Sequence, residues 1–131
     1  LARLFYLTGK GAYRTRAEAL VQAVSGELER DVFGLSTLLN AHAFLNEGMQ
    51  IILVGRRDEE PVRAMLRTVH DVSMPDKVIQ VVENTDGFSV AHPAYGKGRV
   101  DGHATAYVCR GPVCSLPITN AATLHKNLQT R

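Results

Sequence analysis

The first 47 residues carry apolar side chains that recur every three or four positions, a spacing that predicts short helices. The face of the first predicted helix consists of Leu1, Leu4, Phe5 and Thr8. The second helix, near residues 13–30, carries Ala17, Leu20, Val21, Val24 and Leu28. The third carries Leu35, Leu38, Leu39, His42 and Leu45. Three such helices cannot bury all of their apolar surface, so we expect them to belong to a larger array of helical hairpins.

The hydrophobic pattern changes at Gly48. Residues 49–55 form an almost continuous apolar run, which is typical of a strand buried on both faces of a sheet. A helix capped by Asp58 should follow, and its sheet-facing side chains are Val62, Met65, Leu66 and Val69. Residues 78–82 then predict a second strand, which completes a right-handed βαβ unit.

The rest of the chain predicts a hairpin and a last helix. Residues 83–103 are rich in Gly, Asn, Asp and His and are compatible with either a short helix or a functional flap. Residues 104–109 predict a strand, and residues 114–118 return antiparallel to it. Thr119 or Asn120 should cap the last helix, whose inward side chains are Ala121, Leu124 and Leu128.

The predicted fold class is α+β, with a helical segment over residues 1–47 and a small mixed α/β unit over residues 48–131. The order β-α-β, β-β-α in the second part is also that of a minimal thioredoxin-like fold, in which a redox pair would follow the first strand. Arg56 and Arg57 stand at that position instead. They are candidates for binding an anionic group or a partner carboxylate, or they are simply solvated.

Composition excludes several functional classes. With 15 basic and 13 acidic residues interspersed along the chain and 6% aromatic residues, we expect no nucleic-acid partner. The sequence has no apolar run of 18 residues, so we expect no membrane partner. Two cysteines cannot staple a secreted scaffold, which favours the cytoplasm. The helical pattern is already under way at Leu1 and no Met precedes it, which predicts a piece of a longer protein.

Two stretches together resemble a known family. Leu7-Thr8-Gly9, Tyr13-Arg14 and Arg16-Ala17-Glu18-Ala19 resemble a late hairpin of a six-hairpin α/α toroid of the N-acylglucosamine 2-epimerase type. The second stretch consists of Gly96-Lys97, Val100-Asp101-Gly102, Thr105-Ala106-Tyr107-Val108-Cys109, Cys114, Pro117 and Thr119. It resembles the C-terminal signature of the thioredoxin domain-containing proteins related to the spermatogenesis-associated thioredoxin-like proteins.

The resemblance implies an organisation more than a reaction. Members of this family carry an N-terminal thioredoxin-like domain, then an α/α toroid, then a C-terminal α/β segment. Residues 1–47 would be the end of the toroid, and the partner of this chain would be the rest of its own polypeptide. The redox-type motif of the family lies in the N-terminal domain, so no catalytic residue is carried over.

Cys109 and Cys114 are the most specific candidate site. In a hairpin with a four-residue loop they would lie opposite each other, within reach of a disulfide bond. A redox pair would need a thiol whose pKa is lowered by a helix N-terminus or by cations, and only Arg110 is near in sequence. The alternative, which we favour, is a pair of buried thiols or a structural crosslink.

The remaining candidates have weaker patterns. Lys97 and Arg99, within Gly-Lys-Gly-Arg, could hold an anion, although such a run is more often a turn. Asp101 and Gly102 predict a turn that leaves His103 facing solvent, whereas His42 should lie in the core or line the toroid. The histidines are too scattered to predict a metal site, and no cofactor is predicted.

Three functions follow as hypotheses. The favoured one is a non-catalytic structural or interaction element packed on the toroid. The second is a thiol-disulfide oxidoreductase that acts through Cys109 and Cys114. The third is a contribution to an epimerase-like, carbohydrate-binding toroid, by analogy of fold alone. We also expect the chain to self-associate through its helical face, or to pack that face on its own α/β unit.

Overall fold

The computed structural model describes residues 1–27, 30, 33–111 and 113–130, and its architecture is mixed helix and sheet, as the predicted α+β class requires. The helices are α1 (Ala2–Thr8), α2 (Gly11–Val24), α3 (Ser36–Glu47), α4 (Glu60–Asp71) and α5 (Ala121–Gln129), with a 3₁₀ turn at Ser25–Glu27. The strands are β1 (Met49–Val54), β2 (Lys77–Val82), β3 (Thr105–Arg110) and β4 (Val113–Cys114).

The four strands form one mixed sheet in the order β2-β1-β3-β4. β1 runs parallel to β2, with Met49 opposite Lys77, and antiparallel to β3, with Met49 opposite Arg110. All six residues of β1 are buried, which confirms the strand predicted from the continuous apolar run. The predicted βαβ unit and the antiparallel hairpin that follows it are therefore both present. The return strand, predicted over residues 114–118, is the shorter Val113–Cys114, and Ile118 joins the sheet only through a bridge to Ala106.

α4 and α5 cover one face of the sheet. The predicted stripe of α4 is confirmed by the burial of Val62, Met65 and Val69, and that of α5 by Leu124 and Leu128. These helices and the odd-numbered residues of β1 share one core. Its buried members are Met49, Ile51, Leu53, Met65, Val69, Met74, Ala106, Val108, Ile118, Leu124 and Leu128.

Residues 83–104 cover part of the opposite face. This segment is described throughout and consists of turns with a single bridge between Val100 and His103, so the short helix allowed by its sequence is wrong. Ala94 is fully buried there and packs, with Phe88 beside it, against side chains of β1 and β3. Apolar burial, rather than backbone pairing, holds this long loop on the sheet.

The helical part differs most from its prediction. α1 buries Ala2 and Tyr6 rather than its leucine face, and α3 buries Phe44 and Leu45 while His42 is exposed. The placement of His42 in a core was therefore wrong. Leu45 is the one buried member of the predicted face of α3. The rings of Tyr6 and Phe44 meet edge to face at 5.1 Å, so an aromatic contact outside both predicted faces joins the two helices.

α2 is shorter than its prediction. It ends at Val24, where a 3₁₀ turn follows, and Leu28 lies outside the described residues. Among the described residues of its predicted stripe, only Ala17 is buried, whereas Val21 and Val24 are half-buried and Leu20 is 57% exposed. The apolar face of α2 is thus only partly covered.

Three helix boundaries depend on a named residue, and the cap predicted at Asn120 is one of them. Gly9 ends α1 in the left-handed conformation (φ 68°), and its N–H donates to the Phe5 carbonyl. The Asn120 side chain accepts the Thr123 N–H at 2.8 Å and so caps α5. The cap predicted at Asp58 is wrong, because α4 begins after Glu59 and the Asp58 carboxylate binds Arg56 instead.

Within the described ranges, no helix has the length and hydrophobicity needed to cross a bilayer.

Candidate functional site

The β3–β4 hairpin joins the two cysteines. Cys109 lies directly opposite Cys114, their Cα atoms are 3.9 Å apart, and their Sγ atoms are bonded. Cys109 is buried and Cys114 is half-buried. Arg110 pairs with Val113, so the connection between the strands is shorter than the predicted four residues; Pro112 in that connection lies outside the described residues.

The strand geometry separates the sulfur atoms from the nearest cation in sequence. Side chains alternate between the faces of a strand, so Arg110 lies on the opposite face of β3 from Cys109. Cys109 shares its face with Gln50 of β1, its cross-strand partner. Arg110 is therefore poorly placed to stabilise a thiolate, which favours a crosslink over a reactive pair.

Removal of the crosslink should lower stability moderately. The disulfide closes a short loop, and the restriction of the unfolded chain is expected to contribute about 2 kcal/mol. We expect urea unfolding of the wild-type chain to shift to lower urea when a reductant is added. The Cys109→Ala/Cys114→Ala variant serves as the control, since its midpoint should not respond to the reductant. A wild-type midpoint that ignores the reductant would show that the bond does not stabilise the fold.

Two of the candidate anion-binding arginines already have carboxylate partners. The Arg56 guanidinium holds both oxygens of Asp58, with Nε–Oδ1 at 3.0 Å, and Arg99 holds both oxygens of Glu59, with Nη1–Oε2 at 3.0 Å. Hydrogen bonding to Arg56 lowers the pKa of Asp58, and hydrogen bonding to Arg99 lowers that of Glu59. The Arg99–Glu59 pair anchors the β1–α4 turn to the segment before β3, whereas the Arg56–Asp58 pair lies within the turn itself.

The other two cations of the predicted site lie apart from these pairs. The Lys97 ammonium sits 4.9 Å from the centre of the Tyr107 ring, a cation–π contact, and Arg57 is exposed. The four residues do not converge on one open concavity. Anion binding by this group stays a prediction without geometric support.

A buried polar cluster lies where the helical part meets the sheet. Gln50 and His92 both donate through Nε2 to the main-chain carbonyl of Tyr6, His92 at 3.0 Å. The Nδ1 atom of His92 accepts the Ala94 N–H at 3.0 Å, and the ring stacks on Phe88 with centroids 4.2 Å apart. These partners fix the neutral tautomer of His92 with its proton on Nε2. The only sequence signal for this cluster was Gln50, a polar residue within the apolar run of β1.

Burial of His92 should make the fold sensitive to acid. Desolvation lowers the pKa of His92, an effect that the hydrogen bond to the Tyr6 carbonyl only partly offsets. The unfolded chain, with a histidine pKa near 6.5, therefore binds a proton more readily than the folded chain. The contribution of His92 is fully present above about pH 6.5 and is lost as the pH falls through the lowered value.

The measurement is urea unfolding as a function of pH. We expect the free energy of unfolding to fall between about pH 6.5 and pH 5, and the slope to flatten in His92→Gln, whose amide cannot titrate. His103→Gln is the matched control, because His103 is exposed and should leave the slope unchanged. Equal slopes in all three proteins would contradict the assignment.

The described residues do not assemble a metal site. Among them, no three His, Cys, Asp or Glu side chains are grouped so as to hold an ion. His103 is exposed as its sequence context predicted, whereas His92 is buried in the cluster with Gln50. The chain is thus a mixed α/β unit whose most specific features are a disulfide-bonded hairpin and a buried polar junction.

Comparison with known proteins finds sequence similarity to one protein in three mammals. It is similar to spermatogenesis-associated protein 20 of Homo sapiens, with 28% identity over 132 residues that cover 98% of this chain. The corresponding proteins of Rattus norvegicus and Mus musculus are 26% and 25% identical over the same length. The chain spans 17% of the length of each of these curated relatives. No family model and no solved structure matches the chain.

Proposed function

We propose that this chain is a non-catalytic structural or interaction element of a larger protein, which it contacts through its helices. The observation that carries the proposal is the uncovered apolar face of the helical part. Leu4 is 43% exposed and Leu20 is 57% exposed, although both stand in the apolar pattern of a helix. Apolar side chains at helical spacing that the fold leaves this exposed are typical of a surface that binds another protein surface.

We propose further that the larger protein contains a thioredoxin-like domain and an α/α toroid, of which residues 1–47 form the end. The resemblance of Leu7-Thr8-Gly9 and the following residues to a toroid hairpin supports this organisation. The relatives support only the larger size, since this chain spans 17% of their length. Much more chain is therefore available in a protein of that kind to cover the helical face.

The test is the solution state of the isolated chain. With its helical face uncovered, the wild-type chain is expected to self-associate with increasing concentration in sedimentation velocity. A Leu4→Glu/Leu20→Glu variant should sediment as a monomer, because two carboxylates would be desolvated in the contact. Leu116→Glu is the control, since Leu116 is 86% exposed outside the helical part and should leave association unchanged.

A wild-type chain that remains monomeric over the whole concentration range would contradict an adhesive helical face. So would an association that Leu116→Glu abolishes and the double variant leaves intact, since the contact would then lie on the sheet side of the molecule.

A second candidate function is thiol-disulfide exchange by Cys109 and Cys114. It is favoured by one observation, the position of the two sulfur atoms within bonding distance while Cys114 is half-buried rather than enclosed. The discriminating measurement is the rate of alkylation of the reduced chain as a function of pH. A thiol that reacts with an apparent pKa well below about 8.5 supports exchange, and ordinary alkaline titration of both removes it.

A further inference from the structure

A cavity of about 240 Å³ opens between the helical part, the loop over residues 83–104 and the hairpin turn. Its apolar wall consists of Phe5, Tyr6, Leu45, Ala91 and Pro93. Its polar wall consists of Arg14, Asn46 and Gln50, and the glycines Gly9 and Gly111 complete the lining. The volume is below the range of about 300–1,000 Å³ that holds drug-sized ligands. A cavity of this size suits a small metabolite.

The Gln50 side chain leaves a hydrogen-bond acceptor at this cavity. Gln50 is 3% exposed, and its amide nitrogen donates to the Tyr6 carbonyl, which fixes the orientation of the amide. None of the described residues donates a hydrogen bond to its side-chain oxygen. A ligand with an O–H or N–H group would supply the missing donor.

Asn46 adds a second acceptor of the same kind. Its amide nitrogen donates to the His42 carbonyl at 3.1 Å, so its side-chain oxygen is directed away from that contact. Within the described chain no donor binds this oxygen either. The two amide side chains thus present acceptors to a ligand that carries hydrogen-bond donors.

Arg14 supplies the positive charge of the cavity. Its Nε donates to Glu18 at 2.7 Å and its guanidinium lies 5.4 Å from the centre of the Phe5 ring. Neither Nη atom donates to a side chain or carbonyl in the described part of the chain. These two nitrogens form the edge of the guanidinium that binds carboxylates in pairs.

We propose that this cavity binds a small carboxylate that carries a neighbouring hydroxyl or ammonium group and an apolar side chain. The carboxylate lies on the Nη atoms of Arg14, the hydroxyl or ammonium group donates to the amide oxygens of Gln50 and Asn46, and the apolar group packs on Phe5 and Tyr6. This inference is independent of the proposed docking role, since the cavity lies within the described chain and needs no partner.

Four matched probes test the two polar contacts separately by NMR titration of the ¹⁵N-labelled chain. L-Leucine and L-2-hydroxyisocaproate carry both a carboxylate and a donor, isocaproate lacks the donor, and leucinamide lacks the carboxylate. The first two are expected to bind with dissociation constants of about 1 mM or below. They should shift the amide signals of Gly9 and Gly111, which both line the cavity.

Isocaproate and leucinamide should each bind about ten-fold or more weakly, as the loss of one charge-assisted or buried hydrogen bond predicts. Arg14→Met is expected to abolish the preference for leucine over leucinamide. Arg16→Met is its matched control, because Arg16 is exposed and does not line the cavity. The spectrum of each variant shows whether it is folded.

Two results would overturn the inference. One is the absence of shifts at Gly9 and Gly111 with every probe up to about 10 mM, a concentration at which even millimolar ligands saturate. The other is equal binding of all four probes, or equal loss of binding in both arginine variants, which would show that neither the charge nor the acceptors recognise the ligand.

Discussion

Replacement of Gly48 by alanine is expected to destabilise the chain by about 2–4 kcal/mol. A Cβ atom at this position would lie 2.5 Å from the Phe44 carbonyl oxygen and 2.7 Å from the Tyr6 ring. The oxygen belongs to the main chain of α3 and the ring packs against Phe44, so neither can yield without moving a helix. The effect should appear as a lower midpoint of urea unfolding.

Gly87→Ala is the matched control for this substitution. A Cβ atom at Gly87 would meet nothing within 4 Å, and the change should alter stability by less than about 0.5 kcal/mol. If the two variants unfold at the same urea concentration, the close approach of α1 and α3 at the start of β1 does not exist in solution.

Truncation of Leu124 to alanine should cost about 2–5 kcal/mol. Leu124 is fully buried on α5, in the core that α4 and α5 form with β1. The alanine would leave a cavity beneath α5. The loss in the free energy of unfolding depends in part on how far α5 can move to fill that cavity. Thermal and urea unfolding followed by circular dichroism would both report the loss.

Leu116→Ala removes the same atoms from a residue that is 86% exposed. Little change is expected there, because the side chain is already hydrated in the folded state. If Leu124→Ala and Leu116→Ala lose similar amounts of stability, α5 does not pack on the sheet.

The sheet and its two covering helices could be predicted because their pattern is local. The apolar run of β1, the stripe of α4 and the inward residues of α5 each determine their own burial, whatever the rest of the chain does. Even the pairing of Cys109 with Cys114 followed from the length of the connection, although the turn proved shorter than expected. Period and spacing alone are sufficient for such elements.

The helical faces could not be predicted in the same way. The leucine spacing of α1 and α3 is genuine, but the contact between the two helices is made by Tyr6 and Phe44. Which face a helix buries depends on its neighbours, and a sequence pattern does not say which neighbours are present. The leucines that this fold leaves exposed fit the proposed contact with the rest of a larger protein.

The candidate sites also depend on contacts between distant residues, which the local sequence pattern does not predict. Arg56 and Arg99 were candidates for binding an anion, but they hold the carboxylates of Asp58 and Glu59 within the chain. The sequence pattern had assigned Asp58 to a helix cap, and nothing local links Glu59 to Arg99, 40 positions away. The His92 cluster joins residues 42 and 86 positions apart, Gln50 to His92 and Tyr6 to His92. No periodicity connects such distant positions, so only the three-dimensional structure reveals them.

The hydrogen bonds between α1 and the sheet affect the order in which a protease would cleave the chain. Besides the shared Tyr6 carbonyl, Gln80 of β2 donates to the Leu7 carbonyl at 3.1 Å, and Arg3 donates to the Lys77 carbonyl at 3.2 Å. Limited proteolysis should therefore nick the chain around the thinly packed α2 before it frees α1. The amino-terminal peptide would then stay attached to the remainder without a covalent link, even though sequence alone assigns it to a different segment.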